Sequence, residues 1–163
     1  SYSVTGVQTC ALPIFLFFSG TRTIRFSQTQ LDMLRAYVLK GGMIVCDSIA
    51  GSPYFYTSIK LSMQQAFPEI EFRKIPQDHP LFHIVHDIRK ASCPRKPELS
   101  SPDLEGMYVG CRIGVLLSKY GMGCGWDNHE VPYISKAVYY DVPSASKIGT
   151  NIVAYAVDRK SVV

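Results

Sequence analysis

The chain has 163 residues, 47% of them hydrophobic and 18% charged, with a formal net charge of +4. That composition belongs to a folded globular domain rather than a disordered segment, and the length suits one domain with a real core. The basic residues are scattered apart from a local group at Arg89, Lys90, Arg95 and Lys96, which argues against a nucleic-acid footprint, and the longest apolar run, Ala11 to Phe18, is far below the ~18 to 20 residues of a membrane span.

Phe15-Leu16-Phe17-Phe18 is a short, wholly apolar run ended by Ser19-Gly20, the pattern of a strand buried on both faces. Ser27 predicts a helix cap, with Gln30 completing a capping box and Phe26 available as a hydrophobic staple. Leu31, Leu34, Tyr37 and Val38 follow at helical spacing, and Gly41-Gly42 terminates the helix. Met43 to Cys46 reads as a second buried strand. Pro53 to Phe67 reads as a second helix, opened near Ser52-Pro53 and stopped by Pro68. Ile70 to Ile75, apolar at Ile70, Phe72 and Ile75, predicts a third strand. This β-α-β-α-β order implies a mostly parallel sheet with helices on both faces.

The second half is less regular. His79 to His83 predicts one helical turn, and Ser92 to Asp103, with Pro94, Pro97 and Pro102, a long loop. Glu105 to Val109 and Arg112 to Ser118, parted by Gly110-Cys111, predict two further strands. Tyr120 to Asn128, with Gly121, Gly123 and Gly125, reads as a loop. Pro143 to Val157 closes the domain as an amphipathic helix with Asp141 or Ser144 near its cap.

The two ends have a different origin in this reading. Val4 to Ile14 looks like the translation of a common short-read sequencing adapter, and Asp158 to Val163 like its partner. Residues 1–14 and 158–163 are therefore expected to be adapter-derived, leaving 15–157 as a single α/β domain truncated at its N-terminus. On that expectation Phe15 to Phe18 lies beside a gap or an exposed sheet edge, and such edges tend to associate. A signal peptide is a poor alternative, since no Lys or Arg precedes Arg22. With the native start missing, the compartment stays open. The chain has five cysteines; no two form a Cys-x-x-Cys pair, and the domain is too large to need disulfide staples.

A family resemblance rests on motifs spread along the chain. They are Leu34-Arg35-x-Tyr37-Val38-x-x-Gly41-Gly42-x-Ile44-x-x-Asp47, Gly51-x-x-x-Phe55, Phe67-Pro68, Asp78-His79-Pro80-Leu81-Phe82, Leu104-Glu105-Gly106, Gly125-Trp126 and Gly149-x-Asn151-x-x-x-Tyr155-Ala156. Together they resemble a bacterial family known as domain of unknown function 4159. The resemblance implies the class I glutamine amidotransferase-like fold, a flavodoxin-like three-layer α/β/α sandwich, with a further strand and helix upstream of Phe15. It implies no activity.

Ligands of open parallel sheets bind beyond the carboxyl ends of the strands, which puts Gly20-Thr21, Asp47 to Ser52 and Asp78-His79 on one expected rim. In active amidotransferases a nucleophilic Cys occupies the position that aligns with Ser48. Ser48 is thus a candidate nucleophile, His79 its base and Asp47 or Asp78 the orienter, although Cys46-x-Ser48-x-Ala50 lacks both glycines of the usual elbow. The competing reading has Asp47 and Ser48 bonding the turn that follows and Asp78 capping a turn begun by Pro80. Arg112 is a candidate for a bidentate contact with a carboxylate or phosphate, against a plain salt bridge with Glu105 or Asp103. Cys124, Asp127 and His129 fall short of a zinc set because no second pair lies at a recognised spacing; Trp126 reads instead as covering a pocket.

The residues expected to meet a ligand are therefore Asp47, Ser48, Gly51, Asp78, His79, Arg112 and Trp126. No cofactor or metal is expected. The leading function is a non-catalytic domain that holds a small polar ligand or packs on a neighbouring domain of the parent protein. The alternative is a hydrolase-type enzyme using His79 with Asp47 or Ser48.

Overall fold

The computed structural model of the chain describes residues 14–123 and 137–160. Its elements are β1 (Phe15–Gly20), α1 (Gln28–Leu39), β2 (Met43–Ser48), α2 (Pro53–Ala66), β3 (Arg73–Lys74), β4 (Leu104–Val109), β5 (Arg112–Ser118) and α3 (Val142–Lys160), with 3-10 turns at Ile49–Gly51 and Pro80–Phe82. The strands form one sheet in the order β1-β2-β5-β4-β3.

Local sequence accounts for most of the element ends. Ser27 Oγ accepts from the Gln30 amide at 3.2 Å while Gln30 Oε1 accepts from the Ser27 amide at 2.9 Å, a closed capping box. Phe26 packs edge-on against Phe18, with ring centroids 5.5 Å apart. Gly41, at φ +106°, ends α1 in a conformation that side chains resist. Pro53 sits at the first position of α2, where its missing N–H is not needed. At α3, Asp141 Oδ1 accepts from the Ser144 amide at 2.9 Å.

The sheet is mixed. β1 pairs with β2 and β2 with β5 in parallel, whereas β4 pairs antiparallel with both β5 and β3. The expected mostly parallel order is corrected here, and the cause is the hairpin between Val109 and Arg112. Its two-residue turn places Gly110 at φ +63°, a geometry that reverses the chain within two residues. β5 then takes the place beside β2. The third strand is left at the far edge, where Arg73 and Lys74 pair with β4 and the Ile75 amide donates to the Leu104 carbonyl at 2.8 Å.

Alternation along β2 divides the interior into two cores. Ile44 and Cys46 join Leu31, Leu34, Val38, Phe55, Ile59 and Met63 of α1 and α2. Met43 and Val45 join Ile148, Ile152 and Tyr155 of α3, with Leu81 and Phe82 from the loop before β4. All six residues of β2 are buried, and each fully buried aliphatic side chain contributes roughly 1.5 to 3 kcal/mol.

The two sheet edges differ. β3 offers two exposed basic residues. β1 offers six residues without charge, among them Phe17 at 39% exposure. On the α3 side of β1 a groove of about 850 Å³ is lined by Phe15, Phe17, Val142, Gly149 and Val153.

Candidate functional site

β2 ends in Asp47 and Ser48, both with no exposed surface. Asp47 lies opposite Ser19 of β1 and Ser118 of β5. Its two carboxyl oxygens are each taken by a backbone amide from the loop after β5: Met122 donates to Oδ1 at 2.8 Å and Gly123 to Oδ2 at 2.7 Å. A Cβ at position 123 would stand 2.9 Å from Oδ2, so glycine permits the close approach. Burial pushes the Asp47 carboxyl up to about 6, and the two amide bonds hold it from going further. The same burial, reinforced by the charge of Asp47, raises the Cys46 thiol.

Ser48 Oγ is buried and finds no hydrogen-bond partner among the described residues. Such a group carries the desolvation cost without its compensation. The unusual backbone falls two residues later, at Ala50, with φ +56° and ψ +18°, a conformation uncommon outside glycine. Gly51 follows at φ +71°, and a Cβ there would meet the Val138 carbonyl oxygen at 3.0 Å. Val138 is hydrogen-bonded to this same turn, its amide donating to the Ala50 carbonyl at 2.8 Å. Gly51 therefore serves the close packing of two backbone segments.

His79 is elsewhere. Its Nδ1 accepts from the Leu81 amide at 3.1 Å, capping the Pro80–Phe82 turn, so this nitrogen is the unprotonated one. The half-buried ring lies against Tyr108 and Tyr155, with centroids 6.0 and 5.7 Å apart. Burial lowers its pKa, with the charge of Asp78 opposing, and Asp78 itself is exposed. Tyr108 pairs with Ile113 of β5, and the Tyr155 hydroxyl accepts from the Ile113 amide at 3.1 Å. Ile113 is five positions along β5 from Ser118, the partner of Asp47, a span of roughly 16 Å. The expected common rim is thus corrected: Asp47 and Ser48 share one end of the sheet, and His79 packs toward the other. The sequence missed this because the loop carrying His79 returns over the α3 face.

Arg112 lies at that other end too. Its guanidinium donates to the Gly42 carbonyl at 3.1 Å and to the Val38 carbonyl, closing the C-terminal end of α1. Burial lowers its pKa. Neither expected acid meets it. Glu105 instead accepts from Lys60 at 2.8 Å and from the Tyr56 hydroxyl, and Asp103 lies 3.8 Å from Lys74. The Tyr56, Lys60 and Glu105 group was not singled out from the sequence, although Tyr56 and Lys60 stand four apart on α2, the spacing at which helical side chains meet. Lys119 adds a cation 5.5 Å above the Tyr56 ring. Cys124, Trp126, Asp127 and His129 fall outside the described residues.

A family model, domain of unknown function (DUF4159), matches residues 9–157. The chain belongs to this family. The DUF4159 match spans both cores, the β2 end and the His79 loop, and it begins within the segment read as adapter-derived. No curated protein matches the chain. Among the described residues no helix is long and apolar enough to cross a membrane, and no three His, Cys, Asp or Glu side chains gather as a metal site would need.

Proposed function

We propose that this DUF4159 chain is a non-catalytic interaction domain with an amidotransferase-like, three-layer α/β/α architecture. One observation carries the reading: at the place where a nucleophile would stand, both Asp47 oxygens are occupied by the Met122 and Gly123 amides and the Ser48 hydroxyl is sealed from solvent. A serine nucleophile needs a base within hydrogen-bond reach. His79 caps its own turn at the other end of the sheet. Asp47, Gly51 and Arg112 then act as internal fastenings, and a partner, such as a neighbouring domain of the parent protein, is met elsewhere. The apolar groove between β1 and α3 supports that emphasis, since contiguous apolar surface marks contacts with other proteins.

The hydrolase reading has one favourable observation, the unpaired Ser48 hydroxyl just before a strained turn. Labelling with a fluorophosphonate probe separates the two. The interaction-domain reading predicts no labelling that depends on Ser48. Labelling of the native protein that disappears in Ser48→Ala would overturn it.

A further inference from the structure

The helix α3 is patterned to be covered on two faces. Its inner face, with Ala145, Ile148, Ile152, Tyr155 and Ala156, belongs to the core above β2. Its outer face is the stripe Val142, Ser146, Gly149, Thr150, Val153 and Val157, set at helical spacing and exposed apart from the half-buried Gly149. A surface helix ordinarily carries its charges on the side turned away from the core. Between Val142 and Val157 α3 carries one charged residue, Lys147, and a turn of about 100° per residue sets it about 110° round the helix from the middle of the stripe. Beside the stripe, β1 brings Phe15 and Phe17 to the same groove and no charged residue.

The stripe reads alike in both directions. Its midpoint falls between Gly149 and Thr150; Val142 and Val157 stand equally far from it, and so do Ser146 and Val153. A surface that pairs with its own copy across a two-fold axis is self-complementary in this way. We propose that this face, to which the interaction-domain reading directs a partner, joins two copies of the chain, their α3 helices antiparallel and crossing where Gly149 meets Thr150 of the second copy. The proposal rests on that reading and names its partner. The register sets Val142 against Val157 of the second copy and Ser146 against Val153 of the second copy, each contact made twice. Small residues at the crossing bring the helix axes to about 8 Å. Each helix N-terminus then lies beside the other's C-terminus, where their partial charges attract. The uncharged stripe also lets two chains of net charge +4 meet with no like charges between them.

Area decides how firmly the copies hold. The stretch from Val142 to Val157 spans about 24 Å, and the helix with the groove beside it is about 20 Å wide, so each copy covers about 500 Å² and the pair about 1,000 Å². That stands at the lower limit of specific interfaces. The dimer is therefore reversible, half-formed at a concentration between about 1 and 100 µM.

Sedimentation velocity of the full chain across that range tests the pairing, and a shift from monomer to dimer is expected. A monomer at every concentration overturns the second copy as partner and leaves the interaction-domain reading standing, whereas Ser48-dependent labelling by the fluorophosphonate removes the reading itself. Ser146→Lys and Val153→Glu, both at exposed positions, should each weaken the dimer at least about tenfold, because each seats two charges in an apolar contact. Their combination should recover most of the loss and make the dimer salt-sensitive, since every new lysine then meets a new glutamate of the second copy. Within one helix the two stand seven residues apart, beyond the reach of a helical pair. Single variants that dimerise as the native chain does, or a combination no stronger than the singles, overturn the proposal. Circular dichroism and the urea midpoint establish that each variant folds. Where one does not, Thr150→Glu, which sets two carboxylates beside the axis, replaces it with the same expected loss, and native-like dimerisation of that variant overturns the proposal equally.

Discussion

The two ends of the sheet spend their polar side chains on the same task by opposite means. At the end where β2 and β5 finish, one acid does it: Asp47, buried, receives two amides from a loop that would otherwise present unpaired donors. At the other end a cation and two aromatic groups do it. Arg112 donates to the Val38 carbonyl of α1 and to the Gly42 carbonyl, Tyr155 accepts from Ile113, and His79 caps a 3-10 turn against Tyr108 and Tyr155. Buried backbone groups must be satisfied wherever an element stops inside a core. The comparison teaches that residues gathered by a strand-end argument need not gather in space. A motif residue at an element end can be a fastening as readily as a reagent.

The largest effect is expected from breaking the acid end. Asp47→Ala leaves two buried amides without acceptors, and an unpaired buried donor costs about 1 to 3 kcal/mol. Urea denaturation at pH 5 should therefore show a loss of about 3 kcal/mol. The deficit should narrow as pH rises. Because the folded pKa of Asp47 is raised to about 6 from the ordinary value of 3.8, its contribution is fully present below pH 4 and lost as pH climbs through 6. The native protein should accordingly lose up to about 3 kcal/mol between pH 4 and 6.5 from this group, and Asp47→Asn should flatten that slope. A native stability curve that rises over this window, in excess of Asp47→Asn, would contradict the assignment.

The basic end should respond less. Arg112→Met removes two bonds to buried carbonyls, of which that of Val38 keeps the Gly41 amide as a donor, for a loss of about 1.5 to 2 kcal/mol by the same denaturation. Arg112→Lys should recover less than half, since an ammonium cannot span the Val38 and Gly42 carbonyls as a planar guanidinium does. Loss of ligand affinity with unchanged stability would restore the ligand-binding role. Smaller still is Glu105→Gln on the α2 face. Its partner Lys60 is 37% exposed, and such pairs contribute about 0.2 to 1 kcal/mol.

Much of this structure was legible in the sequence where local chemistry decides. The Ser27 to Gln30 capping box, the Gly41 stop, the Pro53 start and the buried strand at Met43 all depend on neighbours in the chain. The strand order was not legible. Whether β5 or β3 lies beside β2 is settled by competition for one sheet position, and the tight turn at Gly110 favours the hairpin. Ile70 to Ile75 alternates like a strand, yet the hairpin leaves it an edge where two residues pair. The candidate site was legible residue by residue but not as an arrangement. Asp47 was singled out as a rim residue facing a ligand, and it does stand at a strand end, but buried. That its partners are the amides of Met122 and Gly123 was hidden, because backbone donors leave no mark in a sequence. Arg112 points to carbonyls for the same reason, while Glu105 and Asp103, its expected acids, pair with Lys60 and Lys74.

A double-mutant cycle joining the two ends tests the central claim most directly, with Asp47→Asn, His79→Ala and the combination compared by urea denaturation at pH 5. Sites about 16 Å apart with no shared partner should add to within about 0.5 kcal/mol, and that is the result this account predicts. A coupling energy above about 1 kcal/mol would place Asp47 and His79 in one network, contradicting their separation and reopening the hydrolase reading.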